Sequence, residues 1–500
     1  MTADAPDPPG IDDPPDRAHQ LADAPDAAEL QAYAAALRDL QSRGRFGIRL
    51  GLSRTRALLA GLGHPERSFR GALIAGTNGK GSVLALVASA LQAAGYRSGA
   101  TPKPHLVTYR ERLQIDGEVV DPGTFARVAA EVLALVDRVA RRYGDPTEFE
   151  LLTAATFLWF AEAGIDLAVV EVGLGGRLDA THAWDGGVAV ITNVTLDHTD
   201  RLGTTIRAIA REKAAIVMPG DLAVTGAGGQ SLDVIERRCR QVGAPLTTVA
   251  PAPLMGFDRD GIEVRLGHMD RVRVALRGRH QAANVATADA TLDALEAAGI
   301  ARIDETARRH GYASVEWPGR LELVEAGGRE VLLDGAHNPA GTVALAGAIE
   351  DLAPYLRPGR PALVLAVMAD KDVDGVLAPL AAAPCLAGAR VICTAPQASR
   401  ALPAEALAAR WQAVAEAAAT SAVTSRGRPA SEARAALALP SVRAALEEAL
   451  GPAMEPGPVI VAGSLYLVGE ARAILVDDPR LVPDPPLPAL PPLTSPEAQP

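Results

Sequence analysis

Lysine is nearly missing from this chain: of 49 basic residues only four are Lys, at positions 80, 103, 213 and 371. A sequence that uses Arg wherever a positive charge suffices leaves its few lysines as candidates for chemistry a guanidinium cannot do. Cysteine is as scarce. Cys239, Cys385 and Cys393 make no C-x-x-C pair and no disulfide framework, so they read as apolar filler in a protein of a reducing compartment. No basic block interrupts a net charge of 49 − 60 = −11, which argues against a nucleic-acid surface and leaves small molecules as partners. No segment reaches about 18 uninterrupted apolar residues, and the N-terminus lacks a basic n-region and an apolar h-region. The expectation is a soluble cytoplasmic protein that touches neither membrane nor nucleic acid. Five hundred residues, 48% hydrophobic, exceed one ordinary core, so two well-filled domains are the natural count.

What is present is organised around Gly76-Thr77-Asn78-Gly79-Lys80-Gly81-Ser82, between the apolar stretch 72–75 and the periodic run 83–94. A buried strand turning through glycines into a helix presents free backbone N–H groups and a positive dipole end to an anion. Lys80 inside that turn and the Ser82 hydroxyl complete the parts of a nucleoside-triphosphate cradle, although Ile74 and Gly81 depart from the common G-x-x-x-x-G-K-[ST] spacing.

Along the chain, residues 1–27 are Pro, Asp and Ala with little to pack, and 479–500 are Pro-rich; disorder is expected in both. Helical spacing covers 28–62, broken by the glycine-bearing loop 46–51, and returns over 122–143 and 150–163. Apolar strands are expected at 96–100, 166–170 ending in Glu171, and 187–193 leading to Asp197-His198, with a helix carrying Lys213 beyond. Shorter strands and hairpins are expected over 221–277, and a helix over 280–298 that includes Asn284. Near Trp317-Pro318-Gly319-Arg320 the pattern restarts. Strands at 330–333, before Asp334 and His337, then at 362–367, 390–394 and 458–462, before Ser464, alternate with a helix and an Ala-rich helical stretch over 403–450. The fold class is therefore α/β: a phosphate-loop domain with a mostly parallel sheet over 28–315, then a smaller Rossmann-like α/β domain over 316–478, with polar groups gathered at the carboxyl ends of the strands. Glu171 is a hard oxygen ligand of the kind Mg²⁺ prefers, and His198 a less typical one.

At this level of detail the chain resembles the folylpolyglutamate synthase/dihydrofolate synthase branch of the Mur ligase family. The strings that carry the likeness are residues 76–82, Pro104-His105-Leu106 with Glu111-Arg112, Thr147-Glu148-Phe149-Glu150, residues 171–181 from Glu171 to Thr181, Leu196-Asp197-His198-Thr199, Arg211-Glu212-Lys213-Ala214, residues 334–339 and Gly463-Ser464. They run in family order from about residue 46 to 470. The resemblance implies ATP-dependent amide ligation: the γ-phosphate activates a carboxylate of dihydropteroate or a folate, and the amine of L-glutamate displaces it. It also implies that Asn284, Arg320 and Asp334 hold the nucleotide with residues 76–82, and that Thr147, Phe149 and Asp179 meet the acceptor. His337 and Ser464 would face glutamate, and Glu171 and His198 would hold Mg²⁺. Lys80, Lys213 and His337 are the catalytic candidates. Two Mg²⁺ sites are implied, one supported by a carbamylated Lys213, a modification Arg cannot undergo; the plainer reading of Lys213 is a surface ion pair. The protein is expected to act as a monomer.

Three positions depart from the pattern. Lys103 stands where the family commonly has a Ser that contributes to Mg²⁺, and an ammonium cannot coordinate a cation, so either Ser82 and water complete the metal shell or Lys103 supplies charge to the phosphates. His182 replaces an Asn, and Arg49 an acidic residue. Two other readings stay open: a Mur-type ligase for a cell-wall peptide precursor, and a nucleotide-binding protein without catalysis.

Overall fold

The structure, a computed structural model, describes residues 26–44, 49–426, 435–452, 454 and 456–485. Strand β1 (Arg70–Ala75) sends its side chains alternately into two cores, Leu73 and Ala75 into one, Ala72 and Ile74 into the other. A strand covered on both faces reads as an unbroken apolar run. Around it lie β2 (Ser98–Thr101), β3 (Gln114–Ile115), β4 (Glu118–Val119), β5 (Leu167–Glu171), β6 (Gly187–Ile191), β7 (Leu222–Thr225) and β8 (Leu246–Thr248), in the order β4-β3-β2-β5-β1-β6-β7-β8. The strands β2, β5, β1, β6, β7 and β8 pair in parallel, and the β2–β3 and β3–β4 pairings at the edge are antiparallel. Ile74 lies opposite Glu171 and Ala75 opposite Ile191, so the carboxyl ends of β1, β5 and β6 open onto one edge.

One core holds Leu37, Phe125, Phe157 and Phe160 from the helices Ala27–Gly44, Pro122–Leu133 and Glu148–Ala163. On the opposite face the helix Lys80–Ala93 is buried nearly all round, because Gln281–Ala297 and Glu305–Ser314 cover it. Each large aliphatic side chain withdrawn there contributes about 1.5–3 kcal/mol. The helix Glu305–Ser314, capped by Asp304, is absent from the sequence expectation; Gly311 lets it approach so closely that a Cβ would stand 2.5 Å from Ala90 Cα. The expectation for 221–277 also needs correcting. Between β7 and β8 runs the helix Gly229–Val242, whose thin apolar stripe of Val234, Ile235 and Cys239 is easily overlooked among charged neighbours. The strands β9 (Leu254–Asp258), β10 (Gly261–Leu266) and β11 (Met269–Val274) then form a separate antiparallel sheet.

Beyond Trp317 a second sheet begins, with β12 (Glu322–Ala326), β13 (Arg329–Asp334), β14 (Ala362–Leu365), β15 (Arg390–Cys393), β16 (Leu437–Ala438) and β17 (Val459–Ala462) in the order β12-β13-β17-β14-β15-β16. All but β12 run parallel. The stretch expected as one Ala-rich helical region, 403–450, is two helices, Ala404–Arg426 and Val442–Leu450, separated by β16 and by residues 427–434, which are outside the described part.

The expected disorder from residue 479 onward does not hold for 479–485. Asp484 Oδ1 accepts hydrogen bonds from Tyr33 Oη (2.6 Å) and Thr108 Oγ1 (2.7 Å), Oδ2 accepts the Tyr109 N–H (3.0 Å), and Arg110 donates to the Arg480 carbonyl (2.9 Å). The segment thus returns from the second sheet to the first half. Residues 1–25, 486–500 and 45–48, which include most of both expected tails and part of the loop 46–51, lie outside the described residues. Among the described residues no helix is long and apolar enough to cross a membrane.

Candidate active site

At the end of β1 the chain turns through Gly76 (φ 155°) and Gly79 (φ 80°) into the helix Lys80–Ala93. A Cβ on Gly76 would lie 1.9 Å from Thr192 Oγ1, and one on Gly79 would lie 2.3 Å from Asn284 Oδ1, so only glycine fits either place. The loop is pinned from the β6 side. Asn78 N–H donates to Asn193 Oδ1 (3.0 Å), and its carbonyl accepts from Thr192 Oγ1 (2.7 Å) and Asn193 Nδ2 (2.9 Å). Thr77 Oγ1 bonds both the carbonyl (3.2 Å) and the N–H (3.1 Å) of Thr195. Lys80 Nζ folds back on the Thr77 carbonyl at 3.0 Å and stands 3.8 Å from Glu171 Oε1. Gly81 and the buried Ser82 form the first helical turn, whose amides have no intrahelical partner and carry the positive end of the dipole.

Glu171, the last residue of β5, is buried, and burial pushes its carboxyl up against the pull of Lys80, Lys103 and Arg320. Lys213, in the helix Ile206–Ala214, donates to the Gly76 carbonyl at 2.7 Å; burial, with Lys80 close by, lowers its ammonium to about 7. The plainer reading of Lys213 as a surface ion pair does not match this position. His198 sits in a left-handed conformation (φ 50°) at the start of the short helix Thr199–Leu202, with Nε2 3.9 Å from Asp197 Oδ2; burial lowers its pKa, and Lys80 and Lys213 are among its charged neighbours. Lys80, Glu171, His198 and Lys213 are therefore brought together around the phosphate loop.

The second sheet faces this loop. Arg320 is half-buried, with the Asp334 and Glu171 carboxylates as its charged neighbours, and Asp334, at the end of β13, accepts the N–H groups of Leu321 (2.9 Å) and Ala336 (2.9 Å). His337 Nδ1 lies 2.8 Å from the Gly335 carbonyl, so it must carry the proton there; burial and Lys371 bring its pKa down to about 4, leaving a neutral ring with Nε2 as acceptor. Ser464 is buried and its Oγ accepts the Tyr466 N–H (3.2 Å), capping the helix Leu465–Leu475. Several contributors carry no expected role. Asn338 Nδ2 donates to Asn78 Oδ1 (2.9 Å) and to Asp197 Oδ2 (3.1 Å), and Lys371 Nζ donates to Asp197 Oδ1 (2.7 Å). Lys371 is one of the four scarce lysines and Asn338 lies in the string 334–339, but neither pattern gave the partner it meets, and Asn193 had no signal.

Beside Glu171 a narrow cleft is lined by Thr101, Lys103, Arg112, Phe149, Thr153 and Thr181, among others. Phe149 faces it. Thr147 instead makes a capping box with Glu150 at the start of the helix Glu148–Ala163, and Asp179 accepts from the N–H groups of Leu174 (2.8 Å) and Thr181 (3.0 Å) and from Thr181 Oγ1 (2.6 Å). Their polar atoms hold backbone rather than point into the cleft. Among the described residues no three His, Cys, Asp or Glu side chains converge on one point. Glu171 and His198 thus offer one protein ligand each, which suits Mg²⁺, a cation that keeps several waters and takes substrate phosphate oxygens to fill its shell.

Two family models match, the Mur ligase middle domain over residues 74–292 and the Mur ligase glutamate ligase domain over residues 319–465. The fold and the cleft are those of a Mur ligase. The chain is 36% identical over 463 residues to the dihydrofolate synthase/folylpolyglutamate synthase of Mycobacterium tuberculosis, covering 86% of this chain and 91% of that one. It also resembles the solved folylpolyglutamate synthase of Mycobacterium tuberculosis complexed with ADP and AMPPCP (TM-score 0.78, 32% identity, 90% of this chain and 100% of that one). A solved bifunctional folylpolyglutamate synthase/dihydrofolate synthase with Mn, AMPPNP and L-glutamate bound gives a TM-score of 0.70 at 28% identity, covering 88% of this chain and 97% of that one. This chain belongs to the folylpolyglutamate synthase/dihydrofolate synthase family.

Proposed function

We propose that this protein joins L-glutamate to dihydropteroate, to the γ-carboxylate of a folate, or to both, at the expense of ATP. The observation that carries the reading is the meeting, across one cleft, of the phosphate loop and Glu171 with Arg320, Asp334, Asn338 and Lys371 of the second sheet.

A carboxylate is a poor electrophile until its oxygen is phosphorylated. Attack of the acceptor carboxylate on the γ-phosphorus would release ADP and leave an acyl phosphate. The glutamate amine would then form the amide, lose a proton and expel inorganic phosphate. The charge crowding of the first step is met by the amides of residues 76–82 and by Lys80. Asn284, packed on Gly79, and Arg320 with Asp334 would hold the nucleotide from both sides. Phe149 would meet the acceptor directly, while Thr147 and Asp179 shape its pocket through the backbone they hold. His337, neutral with a free Nε2, would accept a hydrogen from the glutamate amine, and Ser464 would fix the loop beside it. Magnesium, when bound, supplies further charge neutralisation; Glu171 and His198 would hold it, and a carbamate on Lys213 would add an anionic oxygen. Burial of the Lys213 amine beside Lys80 favours the unprotonated form that adds carbon dioxide. We place the protein in the cytoplasm as a monomer, in keeping with its free thiols, with the two domains meeting near residue 316.

The test is ADP release with dihydropteroate, tetrahydrofolate or a cell-wall peptide precursor, each with and without L-glutamate. Glutamate-dependent turnover of either pterin acid is expected. Turnover of the peptide precursor alone, or of none, would overturn the reading.

A further inference from the structure

Lys103 follows β2 between Pro102 and Pro104, and its side chain neither reaches into solvent nor takes the place of a metal ligand. Its N–H donates to Glu171 Oε2 (2.9 Å), while Nζ turns the other way, donating to the Glu171 carbonyl (2.6 Å) and standing 5.3 Å from the centroid of the Phe149 ring. There it lines the narrow cleft with Arg112, Phe149 and Thr181, and Asp179 is the carboxylate that acts on it most strongly. An ammonium has three donors and is costly to bury unless they are used. One goes to Glu171, and the Phe149 face receives part of the charge. The neighbouring acceptors are already engaged: Asp179 takes two N–H groups and a hydroxyl, and the Thr153 hydroxyl donates to the Phe149 carbonyl (2.8 Å). The ammonium thus has a donor facing the cleft that no protein group takes up among the hydrogen bonds of Lys103, and it suits an oxygen that a ligand brings there.

We propose that Lys103 is an acceptor-binding and specificity-determining residue: its ammonium donates to the exocyclic carbonyl oxygen on the heteroaromatic end of the acid substrate, stacked near Phe149, and it has no part in neutralising the nucleotide phosphates. The assignment rests on the pterin-acid reading above. It gives a Lys at a position where a metal ligand is expected a use of its own, because the ammonium is held on the Glu171 carbonyl and beside Phe149 rather than on the Glu171 carboxylate.

The experiment compares wild type with Lys103→Ala and Lys103→Gln, measuring steady-state ligation and acceptor binding by fluorescence without nucleotide. Two acceptors are used: a folate, and a p-aminobenzoyl-glutamate fragment that lacks the heteroaromatic ring. A charge-assisted hydrogen bond predicts that KM and Kd for the folate rise about ten- to a hundredfold in Lys103→Ala and less in Lys103→Gln. KM for ATP, the Mg²⁺ half-activation point and affinity for the fragment should stay within about twofold of wild type, and unchanged ATP affinity shows that the variants are folded. Equal loss for folate and fragment, an altered Mg²⁺ response with unchanged folate binding, or no change at all would each overturn the proposal. A wild type that binds neither acceptor would overturn the functional reading itself, and the proposal with it.

Discussion

The two sides of the cleft are built on different plans. On the first sheet the phosphate loop is one contiguous stretch, fixed by hydrogen bonds from Thr192, Asn193 and Thr195 just beyond the neighbouring strand β6. On the second sheet the site is assembled from separate strand ends, and it reaches the first through side-chain pairs, Asn338 with Asn78 and Asp197, and Lys371 with Asp197. The first side is shaped before any ligand arrives. The second depends on how the two sheets are apposed. Substitutions on the first side should therefore strike chemistry at constant fold, and substitutions in the bridging pairs should strike the joining of the halves.

The largest effect should come from Lys80. Lys80→Ala removes a cation set inside the phosphate loop and is expected to lower kcat by about 10²–10³-fold, with the thermal midpoint close to wild type, because the side chain gives up one hydrogen bond to the Thr77 carbonyl and a long 3.8 Å pairing with Glu171. A variant within a few-fold of wild-type turnover would remove Lys80 from the chemistry.

Asp197→Asn tests the other side. Lys371 and both neighbouring histidines hold the Asp197 carboxyl well below the usual carboxylate range. Losing that charge leaves the Lys371 ammonium buried without its partner, at a cost of about 3 kcal/mol. The pH dependence has a definite sign. Because the folded pKa is depressed, the contribution is complete above the ordinary value of about 4 and disappears as pH falls from there toward the folded value. Denaturant unfolding should show a constant gap between wild type and variant from neutral pH to about 5, narrowing below about 4. A gap that widens on acidification would refute the pairing.

Lys213→Arg keeps the charge but cannot form a carbamate. A lost support for a metal is worth about 10- to 100-fold in activity, and that is the loss expected, with Lys213→Ala partly rescued by a small added carboxylic acid. Full activity of the Arg variant would show that only a cation is needed beside Gly76.

The contrast between the two sides also explains what could be read from sequence. Strand ends, glycine turns and the order of elements were legible because each is a local pattern: an apolar run, then Gly76 and Gly79, then helical spacing. The helix Gly229–Val242 escaped because its apolar stripe is thin, and Glu305–Ser314 because its packing depends on the absence of a side chain at Gly311. The bridging contacts had no local signature at all. Asn338 lies 260 residues from Asn78, and Lys371 lies 174 from Asp197. Asp484 was hidden for a related reason: a Pro-rich end carries no periodicity to announce that one carboxylate docks on Tyr33 and Thr108.

Thr147 gives the smallest effect and separates a contact role from a structural one. The resemblance places it against the acceptor, whereas its hydroxyl lies in a capping box with Glu150, which Arg54 in turn holds through both carboxylate oxygens (3.0 and 2.9 Å). A cap of this kind is worth about 1 kcal/mol, which lowers the melting midpoint of a domain this size by roughly 2–4 °C. Thr147→Ala is therefore expected to melt slightly earlier while the acceptor KM stays within about twofold, and Thr147→Ser, which keeps the cap, should match wild type in both. The first turn of that helix also carries Phe149, so a frayed cap would loosen the ring against the cleft and raise KM modestly in step with the fall in midpoint. A tenfold rise in KM with no change in midpoint would instead place the Thr147 hydroxyl on the substrate.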